Sequence, residues 1–330
     1  MAEGCLVLTP DRRFLRLGPG GAAGGSGTIP SNVLLEVARR VGLQVAEARR
    51  LNLVHRGDDH FRALTEAITS ARREISIEMY QIRPDPIGWE ICTALANAAL
   101  RGVRVRLLLD SFGSSHVSGW LAALRAHGVD VRWYNHWRPW RSPFRRTHRK
   151  LIIVDGRLAS VGGINLAAEF SERYEGGGDC WRDVALWMEG PIVWVLRRQF
   201  EAAWQAHGGE PGPPLEVPSG GGEPCAVSGG RDARGDHGPA YVGLVDAAEE
   251  ELLLATPYFL PDRRLRQALI RAATRGVRTV VAVPRQSDLA WFKHGSRRRY
   301  QPLLDAGIEI WERCDRMMHA KVGVVDSRLA

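Results

Sequence analysis

His148-Arg-Lys-Leu-Ile-Ile-Val-Asp155 and His319-Ala-Lys-Val-Gly-Val-Val-Asp326 repeat one pattern, His-x-Lys followed by four residues and an aspartate. A second matched pair lies upstream, Arg101-Gly-Val-Arg-Val-Arg in the first copy and Arg275-Gly-Val-Arg-Thr-Val in the second. Nearly the same number of residues separates the two signals in each copy. Two signals in one order at one spacing predict a chain built from two structurally similar halves.

Helices alternate with short apolar strands in both halves. The first half is predicted to form helix, strand, helix and strand at residues 60–73, 75–80, 88–100 and 103–109, and the second repeats them at 241–250, 252–256, 263–274 and 277–283. In both halves an Arg-Gly turn precedes the second, β-branched strand. This alternation is typical of an α/β fold, in which helices cover a largely buried sheet.

Composition divides the chain into four predicted segments. Residues 1–50 form a flexible, glycine-rich N-terminal segment with a short helix, and residues 51–206 form the first lobe. Residues 207–238 are rich in glycine and proline and are interpreted as a poorly ordered linker or surface loop. Residues 239–330 form the second lobe.

Charge is the most informative part of the composition. The 330 residues include 45 basic and 37 acidic side chains, a net charge of +8, which predicts an anionic partner such as nucleic acid, anionic lipid or a phosphorylated substrate. No apolar run is long enough to span a membrane, no signal-peptide stretch is present, and a cytoplasmic protein is expected. The five scattered cysteines exclude a zinc site of CxxC type and a full disulfide framework.

The two motifs predict a definite chemistry. Residues two apart on a strand share a face, so His148 points with Lys150 and His319 with Lys321. Packing of the halves about a pseudo-twofold axis would bring both pairs into one cleft. One imidazole could attack phosphorus and the other protonate the departing alcohol, while the lysines neutralise the phosphate oxygens. A phosphodiester would then be split through a phosphohistidine, with no metal or other cofactor.

The paired motif resembles that of the phospholipase D superfamily, and Gly162-Gly-Ile-Asn165 matches the tail that follows the motif there. Other segments are similar to bacterial cardiolipin synthases without transmembrane helices, namely Ile77-Glu-Met-Tyr-Gln-Ile, Trp181-Arg-Asp, Glu189-Gly-Pro, Thr256-Pro-Tyr-Phe-Leu-Pro-Asp262 and Leu304-Asp-Ala-Gly-Ile-Glu-Ile. The resemblance implies two similar lobes, each a sheet flanked by helices. It also implies transfer of a phosphatidyl group onto phosphatidylglycerol to make cardiolipin.

The resemblance assigns roles to individual residues. It implies His148 as the nucleophile and His319 as general acid and then base, although which histidine attacks stays open, with Lys150 and Lys321 holding the phosphate. Asp155 and Asp326 complete the catalytic motifs or brace their loops. Two further residues are implied to bind or orient, Asn165 by a hydrogen bond to the phosphate and Asp183 by orienting His148. Glu78, at the end of the first strand, is expected to face the site, with a surface carboxylate as the alternative.

The second motif departs from the superfamily pattern. The chain stops at Ala330, before the second Gly-Ser-x-Asn would be expected. The second lobe is therefore expected to be truncated at its C-terminus, which would make the chain less stable than the family norm and could leave it inactive.

The segment Arg132–Arg146 concentrates aromatic and arginine side chains just before His148. Such a composition favours an anionic lipid surface, which predicts peripheral binding at the inner face of the bacterial cell membrane. Its rings could instead cap the core.

Two rival functions remain. One is a lipid hydrolase or nuclease of the same superfamily, although the cardiolipin-synthase-like segments make nucleic acid the weaker candidate. The other is an inactive lipid-binding homologue. Oligomeric state is not predicted.

Overall fold

The structure, a computed structural model, describes residues 31–41, 43–134, 146–174, 180–214, 221–227, 237–286, 296–297 and 299–327. The helices are α1 Ser31–Val41, α2 Gly57–Ser70, α3 Pro86–Leu100, α4 Ser118–Ala126, α5 Ile192–Ala206, α6 His237–Ala247, α7 Arg263–Thr274 and α8 Gln301–Asp305. The strands are β1 Gln44–Ala48, β2 Arg50–Val54, β3 Glu74–Met79, β4 Arg104–Asp110, β5 Asp130–Tyr134, β6 Lys150–Val154, β7 Leu158–Gly162, β8 Ala185–Glu189, β9 Glu223–Val227, β10 Glu251–Ala255, β11 Arg278–Pro284, β12 Glu309–Arg313 and β13 Val322–Val325. The predicted α/β fold is confirmed, with every predicted helix and strand present within a few residues of its expected bounds.

The first lobe contains a seven-stranded sheet in the order β2-β8-β7-β6-β3-β4-β5. Strands β3, β4 and β5 are parallel, and β6 returns antiparallel to β3. The second lobe repeats this central unit in the order β12-β11-β10-β13, with β10 parallel to β11 and antiparallel to β13. Four strands with the same connections and directions confirm the duplication that the sequence predicted.

The repeated Arg-Gly turn closes the same corner in both lobes. Gly102 and Gly276 have φ values of 87° and 92°, a conformation that glycine adopts without steric cost. The preceding arginine reaches back to the helix that starts the lobe: Arg101 donates to two carbonyls at the end of α2, and Arg275 donates to carbonyls at and just after the end of α6. These bonds satisfy carbonyls that a helix end leaves unpaired. This explains why the Arg-Gly turn is repeated in both halves of the sequence.

Apolar side chains cover both faces of the first sheet. On one face Phe61 of α2 and Ile91 of α3 pack over β3 and β4. On the other face Phe200 and Trp204 of α5 pack over β4, β6 and β8. Helices α6 and α7 cover a smaller core in the second lobe. Strands buried on both faces are rigid, and they fix the loops at their ends.

The segment predicted as a linker is partly built into the fold. Residues 223–227 form β9, which pairs antiparallel with β1, so the predicted poorly ordered segment contributes a strand. The stretch that follows α5 packs on the first lobe, where Trp204 Nε1 donates to the Glu210 carbonyl at 3.0 Å. Helix α1 packs against α6 of the second lobe. The domain boundaries themselves stay a prediction.

Candidate active site

Both histidine motifs lie at the same end of their sheets. Because β6 runs antiparallel to β3, His148 and Lys150 lie beside the carboxyl end of β3. Strand β13 has the same relation to β10 and places His319 and Lys321 at the corresponding point of the second lobe. The duplicated topology thus gives each lobe one His-Lys pair at the end of its central strand.

Backbone hydrogen bonds join the two lobes directly at the site. The Arg182 amide donates to the Met317 carbonyl at 2.9 Å, and the His319 amide donates to the Arg182 carbonyl at 2.6 Å. Arg182 and Met318 form a parallel β-bridge between the lobes. The second motif is therefore registered against residues 181–183 of the first lobe.

This register brings Asp183 to His319. Asp183 Oδ2 lies 2.7 Å from His319 Nδ1, and both side chains are buried. The expectation that Asp183 orients His148 is corrected, since the carboxylate serves the histidine of the other lobe. Gly163, from the motif tail, makes room for it: a Cβ there would lie 2.2 Å from both carboxylate oxygens of Asp183.

Aromatic rings surround His319. The Trp181, Phe170 and Tyr258 ring centroids lie 5.3, 5.9 and 6.3 Å from that of the imidazole. Burial lowers the pKa of His319 and the hydrogen bond to Asp183 raises it, with a net lowering. The ring is thus held in one orientation by rings and a carboxylate, an arrangement that suits proton transfer.

His148 lies in a different environment. It is exposed, and its ring centroid lies 4.7 Å from that of Tyr80. Desolvation, followed by the charges of Lys150, Lys321 and His319, lowers its pKa to about 3. The influence of Lys321 and His319 on His148 means that the two motifs share one electrostatic site. His148 is therefore neutral near pH 7, the form in which an imidazole is nucleophilic.

The two lysines face the same space. Lys150 Nζ lies 3.3 Å from His148 Nδ1, and Lys321 Nζ lies 2.9 Å from His319 Nδ1. Burial, followed by the positive charge of Lys321, lowers the pKa of Lys150 to about 7, and the nearby carboxylates of Asp183 and Asp110 act in the opposite direction. Two cations held close together raise each other's free energy, and an anion placed between them relieves that repulsion.

Asp155 and Asp326 are not part of this cluster. Asp155 accepts hydrogen bonds from the backbone amides of residues 72–74, and Asp326 accepts them from residues 249–251, all at 2.8–3.3 Å. Both have φ 51°, a conformation that aspartate and asparagine tolerate better than most residues. Each lies past the far end of its strand, about 20 Å of extended chain from its histidine. The structure therefore corrects the catalytic assignment and supports the bracing alternative.

Glu78 and Asn165 are both buried next to the first motif. Glu78 accepts from the Thr147 hydroxyl and lies 3.3 Å from Arg149 Nε, and burial raises its pKa. It supports the segment that carries His148, so the surface-carboxylate alternative is wrong. Asn165 follows β7, and its Oδ1 has no hydrogen-bond partner among the residues that the structure describes. Its phosphate-binding role stays a prediction.

Two further residues that contact the site were not identified as candidates by the sequence analysis. Asp110 ends β4 and accepts from the amides of Phe112 and Gly113 and, through its other oxygen, from the Thr147 amide at 3.0 Å. It thus connects the loop after β4 to the histidine segment. Tyr80 contacts both His148 and Lys150, whose Nζ lies 4.9 Å from the ring centroid. The sequence offered a signal only for Asp110, which directly follows a strand predicted to be buried.

The aromatic, arginine-rich segment expected to dock on a membrane lies largely outside the described residues, which exclude 135–145. Within the described ranges, no helix combines the length and apolar character needed to cross a bilayer. In that same part of the chain, His, Cys, Asp and Glu side chains form no group of three suited to a metal ion.

Comparison with known families matches this geometry. The family model described as "Cardiolipin synthase, PLD-like domain" matches residues 64–204 and 241–330. A cardiolipin synthase of Geobacillus thermodenitrificans is 33% identical over 313 residues, which cover 90% of this chain and 62% of the relative. Cardiolipin synthase B of Escherichia coli K12 is 32% identical over 303 residues, or 86% of this chain and 71% of the relative. The chain thus spans about 62% of the length of some of the curated relatives it matches.

Solved structures share the fold. The crystal structure of a phosphatidylserine synthase from Haemophilus influenzae superposes with a TM-score of 0.63 at 14% identity, covering 89% of this chain and 80% of that one. A polyphosphate kinase from Porphyromonas gingivalis gives a TM-score of 0.53 at 18% identity, covering 89% of this chain and 45% of that one. Identities this low support the architecture alone.

Proposed function

The chain belongs to the family of phospholipase D-like cardiolipin synthases, and on that premise we propose that it transfers a phosphatidyl group from one phosphatidylglycerol to another, producing cardiolipin and glycerol. The observation that carries the proposal is the junction of the two lobes at the motifs, where the Arg182 backbone is hydrogen-bonded to Met317 and His319 and Asp183 binds the second histidine. The charges of the second motif also act on His148. This arrangement supplies a nucleophile, a proton carrier and two cations around one phosphodiester.

In the first proposed step, a ring nitrogen of neutral His148 attacks the phosphorus of phosphatidylglycerol. A nitrogen–phosphorus bond forms, and the bond from phosphorus to the headgroup glycerol oxygen breaks. His319 in its protonated form donates a proton to that oxygen, so glycerol leaves as a neutral alcohol. The product is a phosphatidyl group bound to His148.

In the second step, a hydroxyl of the acceptor phosphatidylglycerol attacks the same phosphorus. Its proton passes to His319, now neutral, and the nitrogen–phosphorus bond breaks. This regenerates both histidines and releases cardiolipin. Lys150 and Lys321 stabilise the charge on the non-bridging oxygens throughout, and we assign Asn165 a hydrogen bond to one of them.

Electrostatics support this division of roles between the histidines. The pKa of His148 is lowered by desolvation and by the charges of Lys150, Lys321 and His319, which favours the neutral nucleophile. The carboxylate of Asp183 favours the protonated form of His319, which a general acid requires. A substrate phosphate between the lysines offsets their positive charge and raises the pKa of both histidines. The pKa of His319 thereby moves closer to 7.

Trapping the covalent intermediate tests the mechanism. Phosphatidylglycerol labelled in its phosphate is mixed with the protein and quenched with alkaline denaturant, since phosphohistidine is stable to base. We expect label on the wild type, none on His148→Ala, and label that persists longer on His319→Ala. Label retained on His148→Ala but absent from His319→Ala would reverse the assignment.

Lipid products distinguish the proposed reaction from its rivals. Vesicles of phosphatidylglycerol should yield cardiolipin and glycerol with the wild type, and neither with His148→Ala. Phosphatidic acid alone would indicate a hydrolase, cleavage of single-stranded DNA without lipid turnover a nuclease, and binding without turnover a non-catalytic protein.

We further propose that the protein works peripherally at the inner face of the bacterial cell membrane. Phe112 is exposed by 64% beside the site, and the Arg146 guanidinium lies 4.4 Å above its ring. An exposed ring next to a cation suits an interface of anionic headgroups. Co-flotation with phosphatidylglycerol vesicles, lost in 0.5 M salt or with uncharged vesicles, would support this placement; no flotation would contradict it.

A further inference from the structure

A cavity of about 540 Å³ lies beside the reaction centre in the first lobe. Its walls come from the loops after β3 and β4, including Tyr80, Arg83, Phe112 and His116. These loops follow the carboxyl ends of two parallel strands, where ligand sites of α/β sheets are commonly found. The reaction described above uses none of these residues except through contacts of Tyr80.

Tyr80 links the cavity to the reacting groups. Its ring contacts His148 and Lys150, and the same residue lines the cavity. A molecule in the cavity therefore lies against the tyrosine that borders the histidine and lysine of the first motif. The cavity is thus suited to a part of the substrate adjacent to the reacting phosphate.

The cavity walls are held in place by a small set of bonds. The Ser114 hydroxyl donates to the Tyr80 carbonyl and accepts from the Ile82 amide, both at 3.1 Å. Gly113 packs so closely that an added Cβ would lie 2.3 Å from the Tyr80 carbonyl oxygen. Asp110 binds this loop and the His148 segment through its two oxygens. Cavity and nucleophile therefore have a fixed relation to each other.

Positive charge is available at the cavity. Arg83 is half-exposed, and within the described part of the chain its guanidinium pairs with one carboxylate, with Nη2 3.3 Å from Glu169 Oε2. A guanidinium has five N–H donors, so this contact leaves donors for a second anion. Arg146 lies over the ring of the lining residue Phe112 and acts electrostatically on the Tyr80 hydroxyl, so a second cation lies next to two residues of the cavity wall. The aromatic and proline walls suit carbon, and the arginines suit an anionic group.

We propose that this cavity binds the acceptor through its own phosphate, which lies one glycerol away from the attacking hydroxyl. The inference rests on the proposed function and adds the residues that select the acceptor. With the donor phosphorus on His148, the acceptor hydroxyl reaches it past Tyr80 while its phosphate is bound by Arg83 and Arg146. Uncharged glycerol and water make no such contact.

Competing acceptors test the proposal. The full chain is incubated with phosphatidylglycerol vesicles and either labelled glycerophosphoglycerol, which carries a phosphodiester, or labelled glycerol, which is uncharged. Arg83→Gln should raise the KM for glycerophosphoglycerol about tenfold relative to the KM for glycerol, as expected for the loss of one charged hydrogen bond. Arg146→Gln should act in the same direction, and Arg83→Lys should restore part of the preference.

Arg271→Gln is the matched control. The Arg271 side chain is 52% exposed against 50% for Arg83, and it also pairs with one carboxylate, Asp246, but it lies on α7 away from the cavity. It should leave the KM ratio unchanged. If Arg83→Gln keeps the wild-type ratio of the two KM values, the inference is overturned even when cardiolipin is made. If the wild-type protein transfers to neither acceptor and makes no cardiolipin, the proposed function itself is refuted.

Discussion

Asp183 and His319 belong to different halves of the repeat, yet Asp183 Oδ2 lies 2.7 Å from His319 Nδ1. The first lobe therefore supplies the carboxylate that orients the histidine of the second lobe. A carboxylate on one ring nitrogen fixes the tautomer and stabilises the imidazolium, as in other acid–base pairs. In the proposed mechanism, this pairing makes the two halves depend on each other for catalysis.

Replacing Asp183 by Asn should lower kcat by about 10²–10⁴-fold, because His319 loses its orientation and the charge that stabilises its protonated form. The measurement is cardiolipin formation from phosphatidylglycerol vesicles over a range of pH. The acid form of His319 should titrate at lower pH in the variant. An unchanged pH profile with a fall only in protein stability would show that Asp183 is purely structural.

Replacing Asp155 or Asp326 by Asn should destabilise the protein rather than stop the chemistry. Each carboxylate binds backbone amides at the start of a central strand, and asparagine keeps one acceptor oxygen and tolerates the positive φ. A loss of roughly 1–3 kcal/mol of unfolding free energy is expected in each variant. Urea denaturation and kcat at low temperature are the measurements. A kcat loss above about 100-fold in a fully folded variant would return these residues to the catalytic machinery.

The pH dependence of kcat/KM should reflect Lys150. Its pKa is lowered by burial and by Lys321 to about 7, so the free enzyme loses this positive charge as pH rises through that value. The low pKa of His148 keeps the nucleophile neutral well below pH 7. We therefore expect kcat/KM to fall above about pH 7, while kcat holds to higher pH because bound phosphate raises the pKa of Lys150. A kcat/KM still rising from pH 7 to 9 would contradict this. Lys150→Arg, which stays charged, should remove the part of the decline that Lys150 causes and leave the part caused by deprotonation of His319.

His60 should make the fold sensitive to acid. It is fully buried against Trp187, and burial lowers its pKa to about 4. Because the folded form resists protonation, the unfolded chain binds more protons between pH 6.5 and 4, and stability is lost as pH falls through this window. The loss attributable to His60 is about 3 kcal/mol. His60→Leu should flatten the dependence of unfolding free energy on pH between 7 and 4, and a slope equal to that of the wild type would exclude His60 as the cause.

Local pattern was sufficient for much of the fold. The Arg101-Gly and Arg275-Gly turns, the apolar strands and the spacing to His148 and His319 predicted two α/β lobes, because strand alternation and turn chemistry depend on residues close together in the chain. The same alternation placed each lysine on the face of its histidine.

Partners distant in the chain were decided only by the tertiary structure. A carboxylate binds an imidazole or a row of backbone amides equally well by its chemistry, so nothing local distinguishes Asp183 from Asp155. Packing of the lobes aligned residue 182 with residues 317–319 and thereby gave Asp183 to His319 rather than to His148. The cavity between the loops after β3 and β4 has the same origin, since its walls meet only once the parallel strands lie side by side.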